Sequence, residues 1–237
     1  MGESNQYVAV ELDQVFDVLQ GRDRSMDSAL RVLTDAVRLA PARDALMRLR
    51  GGQTVAWDGP GLREEPWETF AELSSFIGSS FRLFGRPVGF DAWPDRLRVQ
   101  FALSDWRPLP RAFGRTLACR PVPGIELLGW RDDQPATWSA FVESYPHSWL
   151  RQAEFPEVLP GLHAVINDLC EQLGDDDSDP PLATVAPGRG IDSARIIDVL
   201  SLDDGSDIGW QLARALPLYE ALCKASELGT DLAIVGY

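Results

Sequence analysis

The sequence predicts an α+β fold, a single domain over residues 1–237 with amphipathic helices packed on a mostly antiparallel sheet. Three observations predict it. Leu97, Val99, Phe101 and Leu103 alternate with Arg98, Gln100 and Ala102, the period-two pattern of a half-buried strand. Leu117–Arg120 and Ile125–Trp130, separated only by Pro121-Val122-Pro123-Gly124, read as two more strands of the same sheet. Leu159, Leu162, Val165, Ile166, Leu169 and Leu173 recur at helical spacing, with Pro160 near the start and Gly174 as the stop.

In chain order, Val8–Leu19 joins a strand-like VAVEL to a helix-like DQVFDVLQ, and its type stays open. Ser25 reads as an N-cap for Met26, Leu30, Leu33 and Val37, a run that Pro41 stops. Arg43–Arg50 reads as a short helix ending at Gly51-Gly52. Thr54–Trp57 reads as a strand closed by the turn signal Asp58-Gly59-Pro60-Gly61. Glu64, Glu65 and Glu68 around Pro66 favour a helix start. The stripe that follows, Trp67, Phe70, Leu73, Ile77, Phe81 and Phe84, has core spacing. A further helical pattern runs from Ala136 through Trp138, Phe141, Val142 and Tyr145 to Pro146. Arg195–Leu202 reads as a buried strand, Asp207 as the cap of a helix reaching Lys224–Leu228, and Asp231–Tyr237 as a terminal strand. Pro217 would kink that helix or split it.

A chain of 237 residues with 45% apolar and 24% charged content can bury a sizeable core. No window of about 18 uninterrupted apolar residues exists, and MGESNQYVAVELDQ lacks the regions of a secretory signal. Cys119, Cys170 and Cys223 are odd in number and far apart, which points to a reducing compartment, the cytoplasm.

The net charge of −14 is uneven. Residues 1–120 hold 16 arginines against 16 acids, whereas residues 121–237 hold five arginines and Lys224 against 20 acids. The densest run is GDDDSD, with Asp175, Asp176, Asp177 and Asp179, in a loop over 174–181 that ends in Pro180-Pro181. Asp203, Asp204 and Asp207 follow, and Trp130 stands beside Asp132 and Asp133. Such a field repels nucleic acid and anionic lipid and speeds encounter with a basic partner. Asp175–Asp179 begins just past a helix end, where the dipole disfavours negative charge, so local stability does not explain it.

Motifs for chemistry are sparse. His147 and His163 have no zinc spacing with each other or with a cysteine. His163 and Cys170 share a helix face, but no orienting third group accompanies them. Gly205-Ser206-Asp207-Ile208-Gly209 places Ser in the wrong slot for a nucleophile elbow, and Gly188-Arg189-Gly190 lacks the rest of a phosphate loop. Asp175, Asp177 and Asp179 fit positions 1, 3 and 5 of a calcium loop, but Pro180 and Ala186 stand where Gly and a bidentate Glu belong. No cofactor or resident metal is expected, beyond weak divalent binding at that run. Arg107, Arg111, Arg115 and Arg120, interleaved with Trp106 and Phe113, have the parts of a single-strand binding surface. The surrounding charge opposes that role, so these arginines are expected to pair within the chain.

In whole-chain character, with GDDDSD and SLDDGSD and no catalytic motif, the sequence resembles the immunity proteins of bacterial polymorphic-toxin and secretion-delivered effector systems, type VI secretion among them. The resemblance implies an antitoxin-like inhibitor without enzymatic activity that covers the basic cleft of a nuclease-like toxin, carboxylates standing where phosphates would lie. By local charge, the partner-binding residues would be Asp175, Asp176, Asp177, Asp179, Asp203, Asp204, Asp207, Trp130, Asp132 and Asp133, with Trp130 as an aromatic anchor. Two other readings are an adaptor for a secreted effector, which needs an exposed apolar groove, and an enzyme with a site around His163.

Overall fold

Tyr7-Val8-Ala9-Val10 and Leu232-Ala233-Ile234-Val235 are apolar at every position, so neither strand has a face suited to water. Each needs cover on both sides. The computed structural model describes residues 5–58, 66–90, 122–128, 147–173 and 207–236. The first six elements are β1 (Asn5–Val10), α1 (Leu12–Leu19), α2 (Asp27–Ala36), α3 (Ala40–Arg50), β2 (Val55–Asp58) and α4 (Pro66–Phe84). Then come β3 (Arg86–Phe90), β4 (Ile125–Leu128), β5 (His147–Leu150), a 3₁₀ turn (Gln152–Glu154), α5 (Phe155–Leu173), α6 (Asp207–Leu228) and β6 (Asp231–Gly236).

The two all-apolar strands pair with each other at the centre of a four-stranded antiparallel sheet of order β3-β1-β6-β5. Their residues divide by parity. Val8, Val10, Ala233 and Val235 join the apolar faces of α1 to α4 in one core. Tyr7, Ala9, Leu232 and Ile234 join those of α5 and α6 in another. The fold is α+β, with helices on both faces of an antiparallel sheet. Lys224, the only lysine, donates from α6 to the Val88 carbonyl of edge strand β3 at 3.1 Å.

Several elements differ in detail from the sequence reading. The open segment Val8–Leu19 is strand then helix, turning at Glu11. Ser25 is not a cap: its N–H donates to Asp23 Oδ1 at 2.8 Å, and α2 starts at Asp27. Pro41 does not stop α2 but sits in the first turn of α3. Pro160 lies inside α5, which begins five residues earlier, and Pro217 leaves α6 a single helix. Asp207 is the first residue of α6 rather than a cap before it. Leu73, Ile77 and Phe81 form the core stripe of α4 together with Phe76, which the pattern missed. Ile125–Leu128 is a strand, but it pairs in parallel with β2 as a separate two-stranded sheet. The expected elements over 97–103, 117–120, 136–146 and 195–202 lie outside the described residues.

The helix starts depend on distant carboxylates. α1, α2 and α3 have no side-chain cap of their own. Glu72 on α4 accepts the N–H groups of Arg38 and Leu39, both at 2.8 Å, just before α3. Asp231 Oδ2 accepts the Leu12 N–H at 3.1 Å, and Oδ1 accepts that of Gln152 at 2.8 Å. Antiparallel register explains the reach, because Asp231 stands opposite Val10, two residues before α1. Arg151 completes this corner: its Nη1 lies 2.8 Å from Asp13 and 4.0 Å from Asp231, with the guanidinium 5.6 Å from the centre of the Phe16 ring.

Helix ends are closed locally instead. After α1, α3 and α6, a glycine at positive φ (Gly21, Gly52, Gly229) turns the chain. The next N–H then bonds back across the last turn in a Schellman closure, as Thr230 does to Ala225 at 3.0 Å.

Asp231→Ala removes the acceptor of two helix-start N–H groups, so it should lower stability by about 2 kcal/mol, twice an ordinary cap. Asn, which keeps one acceptor oxygen, should lose less. Urea unfolding checks this: a midpoint unchanged in the Ala variant would show that Asp231 caps neither element.

Candidate functional site

Charge is uneven along the helices of the two faces, and the arginines of α2 and α3 share their face with Glu11, Asp13 and Asp17 around α1 and with Glu68 and Glu72 of α4. Residues 22–50, spanning α2 and α3, hold seven arginines (22, 24, 31, 38, 43, 48 and 50) against Asp23, Asp27, Asp35 and Asp44. On the other face, residues 152–173 hold Glu154, Glu157, Asp168 and Glu171 and no arginine or lysine. The sheet separates the two.

The geometry of α5 follows from its sequence. Phe155, Val158, Leu162, Ile166 and Leu169 are buried against α6 and the sheet. The opposite stripe, Glu157, Pro160, Ala164 and Asp168, is exposed. Glu157 and Asp168 are 11 residues apart, three turns and about 16 Å along the axis, on one line of the surface. Neither residue was singled out from the sequence. The signal was present as two acids on the polar side of a helix that lacks any cation, but the denser aspartate runs hid it.

The expected partner-binding residues fall largely elsewhere. Asp175, Asp176, Asp177, Asp179, Asp203, Asp204, Trp130, Asp132 and Asp133 lie outside the described residues. Asp207 opens α6. In chain order the first aspartate run begins two residues after α5 ends, and Asp203 and Asp204 stand just before α6 begins.

His163, the centre of the enzyme reading, is 5% exposed. Its ring centre lies 5.8 Å from that of Tyr219 on α6, and Nδ1 is 3.3 Å from the Asn167 amide nitrogen. Nε2 is buried with no hydrogen-bond partner among the described residues. The side chain packs between helices, and a substrate would have to part α5 from α6 to meet it. Cys170 is on the same helix, seven residues on, with its side chain outside the description. Among the described residues no group of three His, Cys, Asp or Glu side chains is placed to hold a metal, and no helix is long and apolar enough to cross a membrane.

Cys223 on α6 is half-buried beside Tyr219, Glu220 and Glu227. Burial pushes its thiol pKa up, and the two glutamates add to this, while a hydrogen bond with Tyr219 partly offsets it. Comparison with protein-family models, with curated proteins and with solved structures gives no match to this chain.

The raised pKa means that the fold favours the neutral thiol. The associated stability is complete below the unfolded-state pKa and is lost as pH rises through the higher folded value. In a Cys119→Ser/Cys170→Ser variant, iodoacetamide should modify Cys223 more slowly than it modifies glutathione at pH 8, and the rate should climb at higher pH than for glutathione. Equal rates across that range would contradict the assignment.

Proposed function

We propose that this chain is an inhibitory binding protein of the immunity type, which holds a basic, nuclease-like protein toxin against its α5–α6 face. The observation that carries this reading is the exposed side of α5, which bears Glu157 and Asp168 on a helix without lysine or arginine. A basic partner approaching such a molecule is drawn to the carboxylates of α5, so the field orients the encounter before contact.

The sequence adds acids on either side of these helices, Asp175–Asp179 two residues after α5 and Asp203 and Asp204 shortly before α6. A row of carboxylates spaced along a helix offers the partner what a phosphate backbone offers, repeated negative oxygens that pair with Arg and Lys. Glu157 and Asp168 form that row on α5.

The test is a pull-down from the source cell at low salt, followed by association kinetics with the captured basic protein. Raising the salt from 50 to 300 mM should slow association at least ten-fold, and Glu157→Lys/Asp168→Lys should do the same at 50 mM. Unchanged association in the double variant, with its circular dichroism intact, would remove α5 from the interface. Turnover of a small substrate without any retained protein would refute the binding reading as a whole.

A further inference from the structure

On the opposite side of the sheet, α2, α3 and the turn after α1 line an open cavity of about 670 Å³. It is built from an antiparallel helix pair. Asp27 at the start of α2 meets Arg50 at the end of α3 in an ion pair, while Arg43 Nε donates to Val37 O at 2.6 Å near the other end. Leu46 and Met47 line the stretch between, and Met47 is 64% exposed.

The charges divide between the two ends. Arg24, Arg50 and Asp27 stand at one, and Arg43 and Asp35 towards the other. At the first end Asp27 balances only one of the two guanidinium groups. Arg24 is exposed and makes no ion pair among the described residues. Arg50 Nε is buried with no hydrogen-bond partner, although Arg50 Nη2 bonds Asp27. The Arg50 side chain is nevertheless 23% exposed and lines the cavity, where a planar guanidinium offers paired N–H donors as a fork that fits an oxyanion.

From these placements we infer that the cavity binds a small ligand bearing a phosphate or carboxylate group, the oxyanion seated between Arg24 and Arg50 and the apolar part over Leu46 and Met47. The volume suits a molecule of ordinary metabolite size. Asp35 and Arg43 at the far end leave room for a ligand with a neutral or zwitterionic tail. The site is independent of the proposed α5–α6 interface, since the sheet lies between them.

Calorimetric titration of the whole chain with inorganic pyrophosphate, and separately with malonate, at constant ionic strength tests the site. Saturable binding of at least one ion is expected, pyrophosphate alone marking a phosphate ligand and malonate alone a carboxylate. Arg24→Gln removes an exposed side chain and should weaken binding ten-fold or more without changing the melting temperature. Arg50→Lys keeps a cation beside Asp27 but loses the fork, and should weaken binding by a similar factor. Absence of saturable heat with both ions, or wild-type affinity in Arg24→Gln, would overturn the inference.

Discussion

The pairing of β1 with β6 is the constraint on which the rest of the structure depends. It joins strands more than 220 residues apart and places both at the centre of the sheet, where each is covered on two sides. One parity of the paired residues seeds the core under α1 to α4 and the other the core under α5 and α6. Loss of this pairing would separate the sheet faces that organise both helix layers, so the two cores are coupled through one ladder. Its register also does electrostatic work. By setting Asp231 opposite Val10 it delivers one carboxylate to two helical starts, and Arg151 is then held between Asp231, Asp13 and the face of Phe16.

What was legible in the sequence was what depends on neighbours in the chain. The apolar face of α5, the glycine stops after α3 and α6 and the terminal strand all follow from local periodicity or local backbone freedom. What was not legible was what depends on partners brought from afar. The N–H groups before α3 are satisfied by Glu72 and that of Leu12 by Asp231, so the cap positions of these helices, Leu39 and Glu11, carry no Ser, Thr or Asp to announce them. Ser25 was misread for this reason: a residue with the right chemistry for a cap was engaged by Asp23 in a local turn instead. The parallel pairing of β4 with β2 was hidden for a related cause. The pattern of Ile125–Leu128 specifies a strand but not its neighbour, and its proximity to Leu117–Arg120 suggested membership of the same sheet as Leu97–Leu103.

The candidate site shows the same division. Acidity of the second half of the chain is a property of composition, and it was visible at once. Its arrangement was not, because a charge excess along a sequence has no direction until helices are assigned to faces. The sheet supplies that direction, placing α2 and α3 on one side and α5 and α6 on the other. Seven arginines between residues 22 and 50 are gathered on α2, α3 and the turns beside them, away from the cation-free surface of α5.

That separation decides whether the two fields cancel. Each helix layer is about 10 Å thick and stands about 10 Å from the sheet, so surface charges on opposite sides are some 20 Å or more apart. The screening length at physiological salt is about 8 Å. Over more than two such lengths the arginines of α2 and α3 contribute little to the potential outside α5, and a molecule near α5 senses carboxylates almost alone. The same screening protects the α2–α3 cavity from the net charge of −14. An anion reaching Arg24 and Arg50 is governed by nearby charges, and the cavity lining holds Arg24, Arg43 and Arg50 against Asp27 and Asp35. One chain can therefore present opposite electrostatic characters to two ligands, provided that an apolar sheet keeps them on opposite faces.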